Sequence, residues 1–267
     1  AGVGETLTVD TTGDDVRVNG AVTLHSSLDI TTGSTAAGNV TFTNDSPIDS
    51  EGGESNNLTV TAGTGAVFFN EDIGTSESLG TLTITRADGG VVFGEADNET
   101  AGDGTTGPVN TVSTDDAIDL GSTNVIAGGI VLNGGAAGIA FQTTDDNVRL
   151  NGAVTLQSNV SIDTGDAGGD ITFTSDSTID SGDGTTAATL IERNDLFLDA
   201  GDGAVVFNAN IGDMQRLDTL TVDRAAGGVT FGAADTATSG GTGPVTRVST
   251  DGAIDIGDGT TADDVIT

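Results

Sequence analysis

LGTLTITRADGGVVFG, residues 79–94, returns as LDTLTVDRAAGGVTFG, residues 217–232, with 11 of 16 positions identical. Each copy reads as two short strands joined by a Gly-Gly turn. Ile84 becomes Val222 and stays apolar, the behaviour of an inward site. Thr85 becomes Asp223 and Val92 becomes Thr230, the behaviour of outward sites. Alternation with period two is that of a β-strand with one buried face. It places Leu82, Ile84, Val91 and Phe93 inward, and Arg86 and Val92 outward.

Working outward from this stretch, the chain lies on itself as two tandem units. VRVNGAVTL from Val16 matches VRLNGAVTL from Val148 at an offset of 132, and TGPVNTVSTDDAIDLG matches TGPVTRVSTDGAIDIG at 136. Residues 1–140 form one unit and 141–267 the other, with insertions confined to Gly-, Asp- and Thr-rich stretches. Within each unit, apolar beads of three to five residues (VRV, AVTL, NVTF, AVFF, VVF) alternate with Gly, Asn, Asp and Ser turns. Phe42, Phe69 and Phe93 recur at spacings of 27 and 24 residues, the length of one solenoid coil. The expected fold is therefore all-β, a parallel β-solenoid of roughly ten coils forming one rod about 50 Å long. Tandem β-sandwich domains are the alternative, disfavoured by short beads and by the absence of Trp and Tyr. Joined end to start, the chain reads DDVIT-AGVGETLTVDTTGDDVRV, much like residues 123–150. Uncapped, stackable ends are therefore expected, from a mature form or an excised segment.

Composition removes several functions. Seven Arg, one His and no Lys face 41 acidic residues, a formal net charge of −34. Such a chain repels nucleic acid and anionic membranes, which recruit clustered cations. No apolar run is long enough for a membrane-spanning helix. Without Cys there are no disulfides or thiolate metal sites, and without Lys no Lys–Asn isopeptide links.

The succession GNVTF, IDS, LTVTAGTGAVFF, LGTLTITRADGGVVFG resembles the β-strand repeat regions of large bacterial surface proteins. It is similar to filamentous-haemagglutinin-like adhesins and autotransporter passenger solenoids. The resemblance covers almost the whole chain and is specific for architecture. It implies a stalk, adhesin or matrix fibre outside a Gram-negative cell, with partners drawn from further copies of itself and, at a tip, a surface glycan or host target.

No constellation points to an enzyme. His25 aligns with Gln157, there is no Gly-x-Ser-x-Gly elbow or phosphate-binding loop, and acidic pairs recur in turns. No catalytic residue is assigned. Calcium is the one cofactor the residues suggest, because hard cations take several carboxylate or carbonyl oxygens. Its candidate ligands are Asp115, Asp116, Asp119, Asp251, Asp255 and Asp258, with the pairs Asp14–Asp15, Asp145–Asp146 and Asp263–Asp264. Ordinary acidic turns are the competing reading. Arg17 aligns with Arg149 and Arg86 with Arg224; each is expected to pair with an Asp of a neighbouring coil or to bridge subunits. Phe68, its counterpart Val206, Val92 and Phe197 are expected outward, as an apolar stripe for lateral packing.

Overall fold

The computed structural model describes residues 4–33, 38–94, 108–182, 193–232 and 244–257. Asp258, Asp263 and Asp264 lie outside these residues, as do positions 1–3 and 258–267 at the junction read above.

The chain winds through coils of three segments, each on a different face. The first coil carries β1 (Thr6–Asp10), β2 (Val16–Val18) and β3 (Val22–Leu24); the second carries β4 (Ser27–Thr31), β5 (Val40–Phe42) and β6 (Ile48–Ser50). The third has β7 (Leu58–Gly63), β8 (Ala66–Phe69) and the single bridging residue Ile73. β9 (Leu82–Ala87), β10 (Gly90–Phe93) and β11 (Thr111–Thr114) form the fourth coil. β12 (Ile118–Leu120), β13 (Ile130–Leu132) and β14 (Ile139–Thr143) form the fifth. The sixth is β15 (Val148–Leu150), β16 (Val154–Leu156) and β17 (Val160–Asp163); the seventh is β18 (Ile171–Phe173), β19 (Ile179–Ser181) and β20 (Leu196–Asp199). In the eighth, Ile211 stands between β21 (Ala204–Phe207) and β22 (Leu220–Arg224). In the ninth, Val248 stands between β23 (Gly228–Phe231) and β24 (Ile254–Ile256).

The first face stacks β1-β4-β7-β9-β12-β15-β18-β21-β23, and the second runs from β2 to β19 and on through Ile211 and Val248. The third runs from β3 and β6 through Ile73 to β11-β14-β17-β20-β22-β24. Every strand pairing described is parallel, for example Val60 beside Ile30 and Val205 beside Ile171. The fold is a parallel β-solenoid, and a sandwich, which needs antiparallel pairs, does not occur among the described residues. Nine rungs on the first face give a stack of about 40 Å, slightly short of the expectation because coil length varies. In-register steps range from 21 residues (Thr6 to Ser27) to 39 (Val91 to Ile130), the difference lying in the connections between strands.

The interior is mainly apolar, with some buried Ser, Thr and Asn side chains among the described residues. Leu82, Ile84, Val91 and Phe93 are each fully buried, as the alternation requires. Phe42, Phe69 and Phe93 stack on the second face with ring centroids 5.3 and 5.1 Å apart. Phe173, Phe207 and Phe231 repeat this at 5.3 and 5.2 Å, but on the first face.

That change of face is general. From β1 to its sequence counterpart β14 there are fourteen segments, counting Ile73, whereas a coil holds three. One unit therefore makes four turns and two thirds, and the second unit repeats the first turned by one face. The sheets run without a break through the unit boundary, β12 pairing with β15 in register.

Corners are where the coils come closest. A side-chain carbon on Gly89 would lie 2.8 Å from the Gly65 backbone, and one on its counterpart Gly227 2.8 Å from that of Gly203. This is the reason for the Gly-Gly of the opening stretch. It turns the chain from the first face to the second instead of closing a hairpin, and Gly90 adopts a φ of 111°.

Truncating Phe69 to Ala, inside an uncollapsible stack, should destabilise the protein by about 3–5 kcal/mol, and truncating outward Phe197 by about 0.5 kcal/mol or less. Urea unfolding of the two variants checks this; equal losses would contradict the inward–outward assignment.

Candidate functional site

The polar side chains of this chain serve first as backbone acceptors between coils. Many strands begin just after an Asn or Asp whose side-chain oxygen takes the N–H that opens the segment above. Asp15 Oδ1 accepts from Asn39 N at 2.7 Å, and Asn39 Oδ1 accepts from Ala66 N at 2.9 Å. The counterparts repeat it: Asn147 Oδ1 accepts from Asp170 N at 2.7 Å, and Asp170 Oδ1 from Ala204 N at 2.8 Å. Asp49 Oδ1 takes Ser76 N, and its counterpart Asp180 Oδ1 takes Met214 N, both at 2.8 Å. Buried Ser46 and Ser177 likewise donate to Val18 O and Leu150 O at 2.9 and 2.7 Å. Sequence reasoning missed this role for the acids. Its signal was present as an Asn or Asp directly ahead of an apolar bead, as in D-VRV, N-VTF, N-VRL and D-ITF.

The carboxylates nominated for calcium are distributed. Asp115 and Asp116 lie at the corner between β11 and β12, where Asp115 accepts from Ser55 Oγ and Asp116 O accepts from Thr114 Oγ1 at 2.5 Å. Asp119, on the first face, accepts from Arg149 Nη1 at 3.2 Å. Asp251 pairs with Arg216 at 3.1 Å and with Arg193. Asp255 stands on the third face beside Thr221. No group of three or more His, Cys, Asp or Glu side chains converges among the described residues. Asp145 holds a φ of 62° where the first unit has Gly13, and its Oδ1 accepts from Ala167 N at 2.8 Å. His25 lies 2.6 Å from Glu51 on the surface.

The arginines behave differently from one another. Arg149 reaches across one coil to Asp119, and Arg224 reaches Asp199 at 3.2 Å and Asp166 at 2.6 Å. Both match the expected pairing between coils. Arg86 does not: it forks onto Asp88, two residues on, with Nε 2.9 Å from Oδ1. The cause is an exchange between units. Arg224 stands beside Asp199, whereas Arg86 stands beside Thr61, the counterpart of Asp199. The acid is supplied instead by Asp88, whose own counterpart is Ala226. The hydrogen bond from Arg86 holds the Asp88 carboxyl below the usual range and raises the guanidinium, and Asp166 with Asp199 raises that of Arg224.

The outward apolar residues divide among the faces. Arg17, Thr41, Phe68, Val92, Val131, Thr155 and Asp180 form one row on the second face, so Phe68 and Val92 are in-register neighbours. Val206 lies on the first face between Thr172 and Thr230, and Phe197 on the third between Ser161 and Thr221. No single stripe unites the four, because the second unit is turned by one face. Phe197 borders a shallow open groove of about 430 Å³, lined also by Asn110, Ile139, Asn159, Thr219 and Thr221.

Asp88→Ala should lower the melting temperature, and adding Thr61→Asp, which copies the second unit, should recover most of the loss. Because the folded pKa of Asp88 is depressed, its contribution is complete above the ordinary Asp value of 3.8 and disappears as the pH falls below it. Melts of the wild type and the two variants should therefore converge in acid; a difference that persists there would contradict the ion pair. Comparisons with known proteins add nothing to this geometry: no family model, no curated protein and no solved structure matches the chain.

Proposed function

We propose that this chain is a structural repeat segment of an extracellular bacterial fibre, stalk or filamentous adhesin, stacking end to end, with no catalytic role. The observation that carries the reading is the unbroken parallel stack of nine rungs on the first face, whose polar residues are spent on joining coil to coil. Such a stack is quasi-one-dimensional, so each coil needs only its neighbours and length can be extended without a new core. Its surface carries a formal net charge of −34, which keeps rods apart at low salt and suits a solvated extracellular polymer. The resemblance to surface-protein repeats supports the same reading.

One observation favours a second role. The Phe197 groove on the third face offers an apolar ring beside amide and hydroxyl groups, the chemistry of an adhesin that takes a surface glycan. Calcium would enter as a bridge between rods, drawing on carboxylates such as Asp115 and Asp255.

Electron microscopy of the purified protein at rising concentration and salt, with calcium and with EDTA, tests the fibre reading. Rods that lengthen with concentration are expected. Monodisperse short particles under every condition would contradict it, and lengthening only with calcium would assign the cation a joining role.

A further inference from the structure

Asn-Gly occurs three times in the chain, as Asn19–Gly20, Asn133–Gly134 and Asn151–Gly152, each directly after a strand. In every case the glycine N–H donates to a serine hydroxyl of the next coil. Gly20 reaches Ser46 at 3.0 Å, Gly134 reaches Ser158 at 2.7 Å and Gly152 reaches Ser177 at 3.2 Å. Asparagine is thermolabile, and most so before glycine, which has no side chain to shield its nitrogen. In the reaction the glycine nitrogen bonds to the asparagine Cγ, the Cγ–Nδ2 bond breaks, and the nitrogen's proton leaves with Nδ2 as ammonia. Water then opens the cyclic imide at either carbonyl, leaving aspartate or isoaspartate. The attacking nitrogen has to give up its proton, so whatever holds that N–H holds the reaction back.

Two of the three corners are gripped at both reacting atoms. Ser46 Oγ and Ser177 Oγ also donate to Val18 O and Leu150 O, at 2.9 and 2.7 Å, so each serine bridges the residues on either side of the asparagine. The asparagine carbonyl is held as well, since Thr43 Oγ1 donates to Asn19 Oδ1 and Thr174 Oγ1 to Asn151 Oδ1, both at 2.8 Å. The grip is one T-x-x-S stretch of the following coil, residues 43–46 in one case and 174–177 in the other. Asn133 is held differently. Gln157, whose N–H donates to Leu132 O at 2.9 Å, stands where Thr43 donates to Val18 O. Ser158 Oγ turns to Asn159 O, a long contact of 3.4 Å. Asn133 Oδ1 accepts instead from Gly135 N at 3.0 Å, an Asx turn that curls the side-chain carbonyl around Gly134 itself.

We propose that Asn133 is a site of spontaneous succinimide and isoaspartate formation, and that the Thr–Ser grip of the next coil keeps Asn19 and Asn151 from the same reaction. The inference does not depend on the fibre reading above. Conversion at Asn133 removes the Nδ2 donor that bonds Gly94 O at 3.2 Å and adds a carboxylate in its place. Isoaspartate also lengthens the main chain by a methylene, at a residue whose N–H ladders to Phe93 O at 2.9 Å. The corner between the second and third faces is thereby loosened between β13 and β14.

Incubating the folded protein at mildly alkaline pH and mapping its peptides for isoaspartate tests this. Asn133 should convert several-fold faster than Asn19 or Asn151, whereas in urea, where no coil grips another, the three should convert at similar rates. Solvent exposure alone gives a different order, because Asn19 is exposed, Asn133 half-buried and Asn151 buried. Asn19 or Asn151 converting as fast as Asn133, or Asn133 staying intact in the folded protein, overturns the proposal. Thr43→Val with Ser46→Ala should raise conversion at Asn19 to the level of Asn133 and leave Asn151, whose grip is untouched, as it was. No rise at Asn19, or an equal rise at Asn151, counts against a local grip.

Discussion

Backbone hydrogen bonding between successive coils is the constraint on which everything else in this molecule depends. A coil makes no ladder within itself, so nearly every N–H and C=O of its segments must find the coil before or after. That requirement fixes where segments start, and it leaves the length of the connections free. Steps of 21 and 36 residues therefore sit in the same sheet. It also explains the use of so many Asp and Asn residues. At corners the backbone ladder lapses, and a side-chain oxygen such as that of Asp15, Asn39, Asn147 or Asp170 completes it.

The same constraint makes the sequence repeat and the structural repeat separate things. The solenoid repeats every three segments, while the sequence repeats every fourteen, so the two fall into phase only after three units. Inward residues are indifferent to the mismatch. Phe42, Phe69 and Phe93 pack on one face and Phe173, Phe207 and Phe231 on the next with nearly the same geometry, because every face presents the same apolar interior. Outward residues are not indifferent, since each feature of one unit reappears around the corner in the next. A rod built from such units presents its features along a helical path instead of along one side.

Much of the fold was legible in the sequence, for a physical reason. Strand alternation and the recurrence of Phe near every 25 residues report burial and coil length, both local quantities. The solenoid was preferred to a sandwich on the short beads, the absence of Trp and Tyr and the Phe spacing. The face assigned to each bead was not legible. It hinges on counting segments, and Ile73, Ile211 and Val248 are single bridging residues with no strand of their own. A miscount by one turns every later feature by a face, which is why Phe68 and Val206 were expected together and lie apart. The partner of Arg86 was equally hidden, since the carboxylate moved from the position of Thr61 to that of Asp88 between the copies.

The central claim is that two sequence units share one three-faced parallel stack, the second turned by one face against the first. Side-chain NOE measurements on the aromatic rings test it most directly. The account predicts two separate series, Phe42–Phe69–Phe93 and Phe173–Phe207–Phe231, with Phe141 touching Phe93 edge-on. A single unbroken series running through both units, or contacts of the kind antiparallel strands give, would contradict it.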